Sequence, residues 1–151
     1  ECMFHLHRRD VLGGLAASGV LTMTAPAGAD ERRASTLQPF AAGDVLQVQL
    51  RWTTDAPLDT RYVVTVQLLN ADGVLVTQHD GEPGGGLALT SGWVVGETIS
   101  DNHALVLPNN LTQVNYTLII GLYDVNNPSA RLPAAGADSA ILYPITIHSG
   151  G

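Results

Sequence analysis

Lysine is absent from the 151-residue chain, and all seven basic side chains are arginine. Charge of any sign is scarce, at 14% of residues against about a quarter in an average globular chain. Fourteen acids outnumber the bases and set a net charge of -7. Such a surface repels phosphates and excludes a basic nucleic-acid binder. The single cysteine, Cys2, cannot close an internal disulfide, so no disulfide framework holds the chain. Cys2 also lies too early for a lipidation box. Recognisable catalytic motifs are missing as well. No serine sits in a Gly-x-Ser-x-Gly elbow, and Gly84-Gly85-Gly86 lacks the Lys-Ser/Thr and the helix of a phosphate loop. We therefore expect neither an enzyme nor a bound cofactor or metal. What is present suits one domain: 45% apolar residues for a core, with sixteen glycines and eight prolines for turns.

The first 36 residues differ from the rest. Four arginines and four acids cancel there, so residues 37–151 carry the whole net charge. Arg8-Arg9 is followed by an uncharged run from Val11 to Ala29 and by Ala27-Gly28-Ala29 before Asp30. That order is a positive n-region, an apolar h-region and a small-x-small cleavage site at Ala27 and Ala29. The run around Arg8 and Arg9 resembles a twin-arginine export signal, with Val11 where a phenylalanine is more usual. The expectation is a helical signal-like or anchor segment over residues 1–29, then a linker over 30–37. The apolar run is short for a transmembrane span of about 20 residues. Retention would allow membrane association through residues 10–29.

From Gly43 the hydrophobic period is two. In Val45 to Trp52, one face holds Leu46, Val48, Leu50 and Trp52, and the other holds Val45, Gln47, Gln49 and Arg51. Such alternation marks a half-buried antiparallel strand. A second strand spans Tyr62–Leu69, with Tyr62, Val64, Val66 and Leu68 on one face. Asn70-Ala71-Asp72-Gly73 supplies a hairpin turn, and the chain returns over Gly73–His79. Residues 80–92 read as a loop whose glycines have little reason to be ordered alone. Further strands are expected over about 97–107, 113–124 and 140–148. Pro144 in the last one points to an edge or a bulge. The fold class is all-β: an immunoglobulin-like antiparallel β-sandwich of about seven strands over residues 38–149.

Several short stretches together carry a family resemblance. They are Gly43-Asp44 before Val48, Leu50 and Trp52; Leu68 to Gly73 with Gln78-His79-Asp80; and Ser91-Gly92-Trp93 with Gly96-Glu97. Asp101-Asn102-His103, Leu107-Pro108, Tyr116, Leu118, Gly121 to Asp124 and Arg131-Leu132-Pro133 complete the set. This body resembles the extracytoplasmic β-sandwich domains that follow the membrane-spanning part of bacterial glycosyltransferases of the dolichyl-phosphate-mannose mannosyltransferase type. The resemblance covers about residues 38–149. The membrane-embedded catalytic part of that family has no counterpart here, so the resemblance implies the accessory domain and no transfer chemistry.

Candidate site residues are few. Asp101 and His103 stand two apart on one strand and share a face. Asp80 and Asp124 lie near strand ends that could converge with them, yet no established metal-ligand spacing results. Trp93 follows the glycine-rich loop and, with Tyr123 and Tyr62, offers aromatic faces on which sugar rings stack. For each, a plain structural role is the competing reading: a polar strand face for Asp101 and His103, and an end plug for Trp93. The functional expectation is a non-catalytic, extracytoplasmic module for binding or support at the cell envelope, with a glycan or an envelope protein as partner. The alternative is a structural subunit of a membrane or surface complex held by an uncleaved N-terminal helix.

Overall fold

The computed structural model describes residues 2–3, 9–12, 15–18, 22–23, 40–54, 56–112, 114–132 and 140–148; side chains are described for 40–54, 56–112 and 115–132. Among the described residues the strands are β1 (Cys2–Met3), β2 (Arg9–Leu12), β3 (Leu15–Ser18), β4 (Thr22–Met23), β5 (Phe40–Ala41), β6 (Val45–Thr54), β7 (Tyr62–Leu69), β8 (Leu75–Gly81), β9 (Ile99–Val106), β10 (Val114–Asp124), β11 (Asn127–Arg131) and β12 (Ala140–His148). One sheet has the order β2-β3-β6-β9, and the other β5-β12-β10-β7-β8 with β11 paired to β10. Pairing is antiparallel except between β12 and the short β5. The seven strands from β6 to β12 form the expected sandwich. No helix among the described residues is long and apolar enough to cross a membrane.

The alternation in the sequence translates into the core. Leu46, Val48, Leu50 and Trp52 are buried on β6, while Val45, Gln47 and Arg51 are exposed. They pack on Val64, Val66 and Leu68 of β7 and on Leu118, Ile120 and Leu122 of β10. Strand β7 lies between β8 and β10, and Val63 and Thr65 on its second face are buried too. The hairpin between β7 and β8 turns where Asp72-Gly73 predicts. The Asn70 side-chain oxygen accepts the N–H groups of Asp72 and Val74, and Gly73 takes the left-handed φ of 77° that this turn requires. Pro144 also falls as expected. Strand β12 pairs with β5 only at its last two positions, leaving Pro144 an open outer side, and a register shift lies next to it.

Two expectations need correction. The N-terminal segment is not helical where it is described: Arg9–Leu12 and Leu15–Ser18 are extended. They pair as a hairpin, Leu12 opposite Leu15, and β3 adds to the edge of β6. The physical reason is local. Gly13, Gly14 and Gly19 penalise a helix, the apolar residues carry no helical stripe, and the open edge of β6 offers backbone partners. The glycine-rich loop is ordered as well. Pro83–Gly86 forms a 3-10 turn closed by Gly86 N–H to Glu82 O and Ala88 N–H to Pro83 O, both 3.1 Å.

Candidate functional site

Strand β9 alternates fully, and its inward face carries Asp101, His103 and Leu105. The two polar residues thus point into the sandwich, at 1% and 4% exposure. Burying a carboxylate is costly unless it is paired and hydrogen-bonded, and here it is both. Asp101 Oδ2 accepts the indole N–H of Trp52 at 3.0 Å and lies 2.7 Å from His103 Nε2. Its Oδ1 accepts the backbone N–H of Gly84 at 3.1 Å. Gly84 holds a left-handed φ of 65°, and a Cβ there would stand 3.0 Å from that of Ala88. The glycine-rich turn is therefore fastened to the core through a backbone donor that only glycine presents without strain.

The network continues across the sandwich. His103 Nδ1 meets Nδ1 of His79, on β8 of the opposite sheet, at 2.9 Å. Nearby, Thr77 Oγ1 donates to the carbonyl of Val106 at 3.2 Å. Edge strands β8 and β9 are thus joined by side chains rather than by a backbone ladder. Among described side chains, no buried polar atom lacks a hydrogen-bond partner, and no group of three or more His, Cys, Asp or Glu is placed to hold a metal.

The remaining sequence candidates lie elsewhere. Trp93 is buried at 7% exposure; its indole N–H donates to Ala88 O at 2.8 Å, and its ring tilts against Trp52 with centroids 6.4 Å apart. Its face is turned to the core and offers no open sugar platform. Tyr123, half-buried on β10, donates its hydroxyl to Asp80 Oδ2 at 3.0 Å, and Asp80 Oδ1 accepts from Thr65 at 2.6 Å. Partial burial, then the hydrogen bond and the charge of Asp80, push the Tyr123 phenol above its ordinary value of 10, against a weaker pull from Arg131. Asp80 thus faces away from Asp101 and His103. Asp124 turns to its own hairpin, accepting the Asn126 N–H at 2.8 Å. Arg8, Arg9, Ala27 and Ala29 have no described side chains.

Sequence reasoning missed the parts played by His79, the Trp52 indole and the Gly84 N–H. The signal for His79 is register. His79 pairs with Val66, and residues opposite each other in an antiparallel pair point to the same side; Val66 points inward.

A groove of about 410 Å³ opens at the end formed by the β7–β8 turn and the β9–β10 connection. Val76, Leu111 and Tyr116 make its apolar floor, and Asn70, Asp72 and Asn110 its rim. Asp72 and Asn110 are exposed. The Asn70 oxygen is taken by the turn, so its amide NH2 is the group that remains to donate. The Tyr116 hydroxyl is anchored by Thr112 O at 3.3 Å.

No protein-family model and no curated protein matches the chain. Among solved structures, it is similar to a β-glucuronidase from glycoside hydrolase family 2, with 8% identity and a TM-score of 0.46. That match covers 72% of this chain and 10% of the enzyme's. The chain therefore spans about a tenth of that protein's length.

Proposed function

We propose that this chain is an exported, non-catalytic β-sandwich module that binds a glycan, or docks an envelope protein, at the cell envelope. One observation carries the reading: the division of labour among its polar residues. Those most suited to chemistry, Asp101 and His103, are spent inside the sandwich as a tie between strands. Among the described residues, the end groove offers an open polar surface instead. A sugar presents an apolar C–H face and a rim of hydroxyls. The groove floor suits the first, and the amides and carboxylate of Asn70, Asp72 and Asn110 suit the second. Tyr123 stays a lesser candidate on the sheet surface. The resemblance to accessory domains of mannosyltransferase-type enzymes agrees with this role.

A glycan array followed by titration with the best hit tests the proposal. The titration should reach ligand concentrations of about 1 mM, where half-saturation corresponds to about -4 kcal/mol. Asp72→Ala combined with Asn110→Ala should weaken binding at least tenfold with the fold unchanged. Absence of glycan binding leaves protein docking; binding unaffected by the double variant moves the site elsewhere.

Export rests on Arg8-Arg9 and Ala27-Gly28-Ala29. Replacing both arginines with lysine keeps the charge, so retention of precursor in the cytoplasm would report recognition of the pair. A second reading, a structural subunit that keeps its N-terminal segment, is favoured by the pairing of β3 with β6. N-terminal sequencing separates the two. A mature start near Asp30 supports a cleaved signal, and a start before residue 10 supports the retained strand.

A further inference from the structure

His79 and His103 stand on the edge strands of two different sheets. Their Nδ1 atoms are 2.9 Å apart, with ring centroids at 5.1 Å and planes at 74°. That centroid separation is nearly the contact plus the two centre-to-nitrogen radii. Both nitrogens therefore lie close to the line joining the rings, and each ring aims its Nδ1 at the other. This is hydrogen-bond geometry with room for one proton between the rings.

The proton positions follow from Asp101. A carboxylate only accepts, so His103 Nε2 carries a proton and donates to Oδ2. Neutral His103 then has a bare Nδ1. His79 donates to it from its own Nδ1, which leaves His79 Nε2 as the basic atom of the pair. His79 is exposed, so a proton arrives there from solvent. One added proton leaves every bond in the chain intact and joins the new cation to Asp101 through His103. Of the ring nitrogens, only His103 Nδ1 is left for a second. There it meets the N–H of His79, with both rings cationic, and the contact must part.

We propose that this pair is a proton-operated latch between the sheets, closed with no or one added proton and open with two. The surrounding groups agree. From β9, Asp101 is the carboxylate bonded to the pair; from β6 and the 3-10 turn, the Trp52 and Gly84 N–H groups fill its other acceptor positions. From β8, Asp80 faces the opposite side, towards Thr65 and Tyr123. Strand β8 pairs with β7 alone within its sheet and otherwise meets β9 through Thr77, so loss of the latch loosens that edge strand against β9. Val76 on that strand lines the end groove; acid release of a groove ligand follows if the groove binds one, and the latch itself is independent of that reading.

The test is side-chain nitrogen NMR on the full ¹⁵N-labelled chain, titrated from about pH 8 to about pH 4 across the histidine range, with amide exchange measured alongside. At the alkaline end, His103 should carry its proton on Nε2 and His79 on Nδ1. On acidification the pair should titrate in two separated steps. After correction for intrinsic rates, amide exchange of β8 should rise at least tenfold at the second step while β10 is unchanged. His79→Gln keeps a donor but cannot titrate, and should hold β8 exchange flat. A bare His79 Nδ1 at the alkaline end, independent one-step titrations, or flat β8 exchange in the unmodified chain would each overturn the proposal. The tautomer result decides it even if the variant fails to fold.

Discussion

Asp101 is the residue whose replacement discriminates most sharply between a hub and mere filling. At 1% exposure it receives three N–H donors, two on Oδ2 and one on Oδ1. Asp101→Ala leaves the Trp52 and His103 donors stranded inside, with Trp52 at 0% and His103 at 4% exposure. Each buried donor left without a partner in this way costs about 1–3 kcal/mol. Asp101→Asn is the finer probe because its shape is nearly the same. Its amide nitrogen is best placed at the Oδ1 position, where it opposes one donor rather than two. The cost is then one broken bond facing Gly84 and the loss of charge at His103, about 1–3 kcal/mol. Urea unfolding followed by tryptophan fluorescence measures both, and an unchanged slope confirms that the same surface is exposed on unfolding. Pairing Asp101→Ala with Trp52→Phe should give a coupling energy of about 0.5 kcal/mol or more, since the two share a bond. An Asp101→Asn variant within about 0.5 kcal/mol of the parent would refute the hub.

Three further outcomes are expected. Trp52→Ala should destabilise by about 3–5 kcal/mol in the same assay, because it removes a fully buried indole as well as one donor to Asp101. Tyr116→Phe should cost only about 0.5 kcal/mol, because the bond to Thr112 O is long at 3.3 Å; a loss several times larger would mean a second role for the hydroxyl. The folded chain holds the Tyr123 proton where the unfolded chain has begun to lose it. Tyr123 therefore contributes stability below pH 10 that is lost as pH rises through its higher folded value. Tyr123→Phe should flatten that part of the stability–pH curve, and an unchanged curve would mean that the fold does not raise the Tyr123 phenol.

Legibility follows how much of each pattern is local. Strand β6 is readable because a single buried face forces a strict period of two, from Leu46 through Trp52. The β7–β8 turn is readable because Asp72-Gly73 determines it within four residues. Strands β5 and β11 are not; Phe40–Ala41 is too short for any period, and Asn127–Arg131 is largely exposed. The N-terminal strands are misread for a related reason. The same small apolar residues serve an export segment or an added edge strand, and the partner that decides, β6, begins some thirty residues beyond β3.

The candidate site divides along the same line. Asp101 and His103 share a face by spacing alone, and β9 alternates strictly enough to place that face inward. The partners that give the pair its character come from other elements: Trp52 from β6, Gly84 from the glycine-rich turn and His79 from β8. Strand β8 shows no clean alternation because, as an edge strand, it is half open on both sides. Its inward residue is identified only through the register with Val66. The glycine-rich turn shows the same dependence in reverse. Read alone, Gly84-Gly85-Gly86 is a flexible linker. Opposite a buried carboxylate short of one donor, it becomes the segment able to bring a backbone N–H close enough to complete the set. Its order is therefore a property of Asp101 as much as of its own composition, and Asp101→Ala should increase amide exchange in the turn.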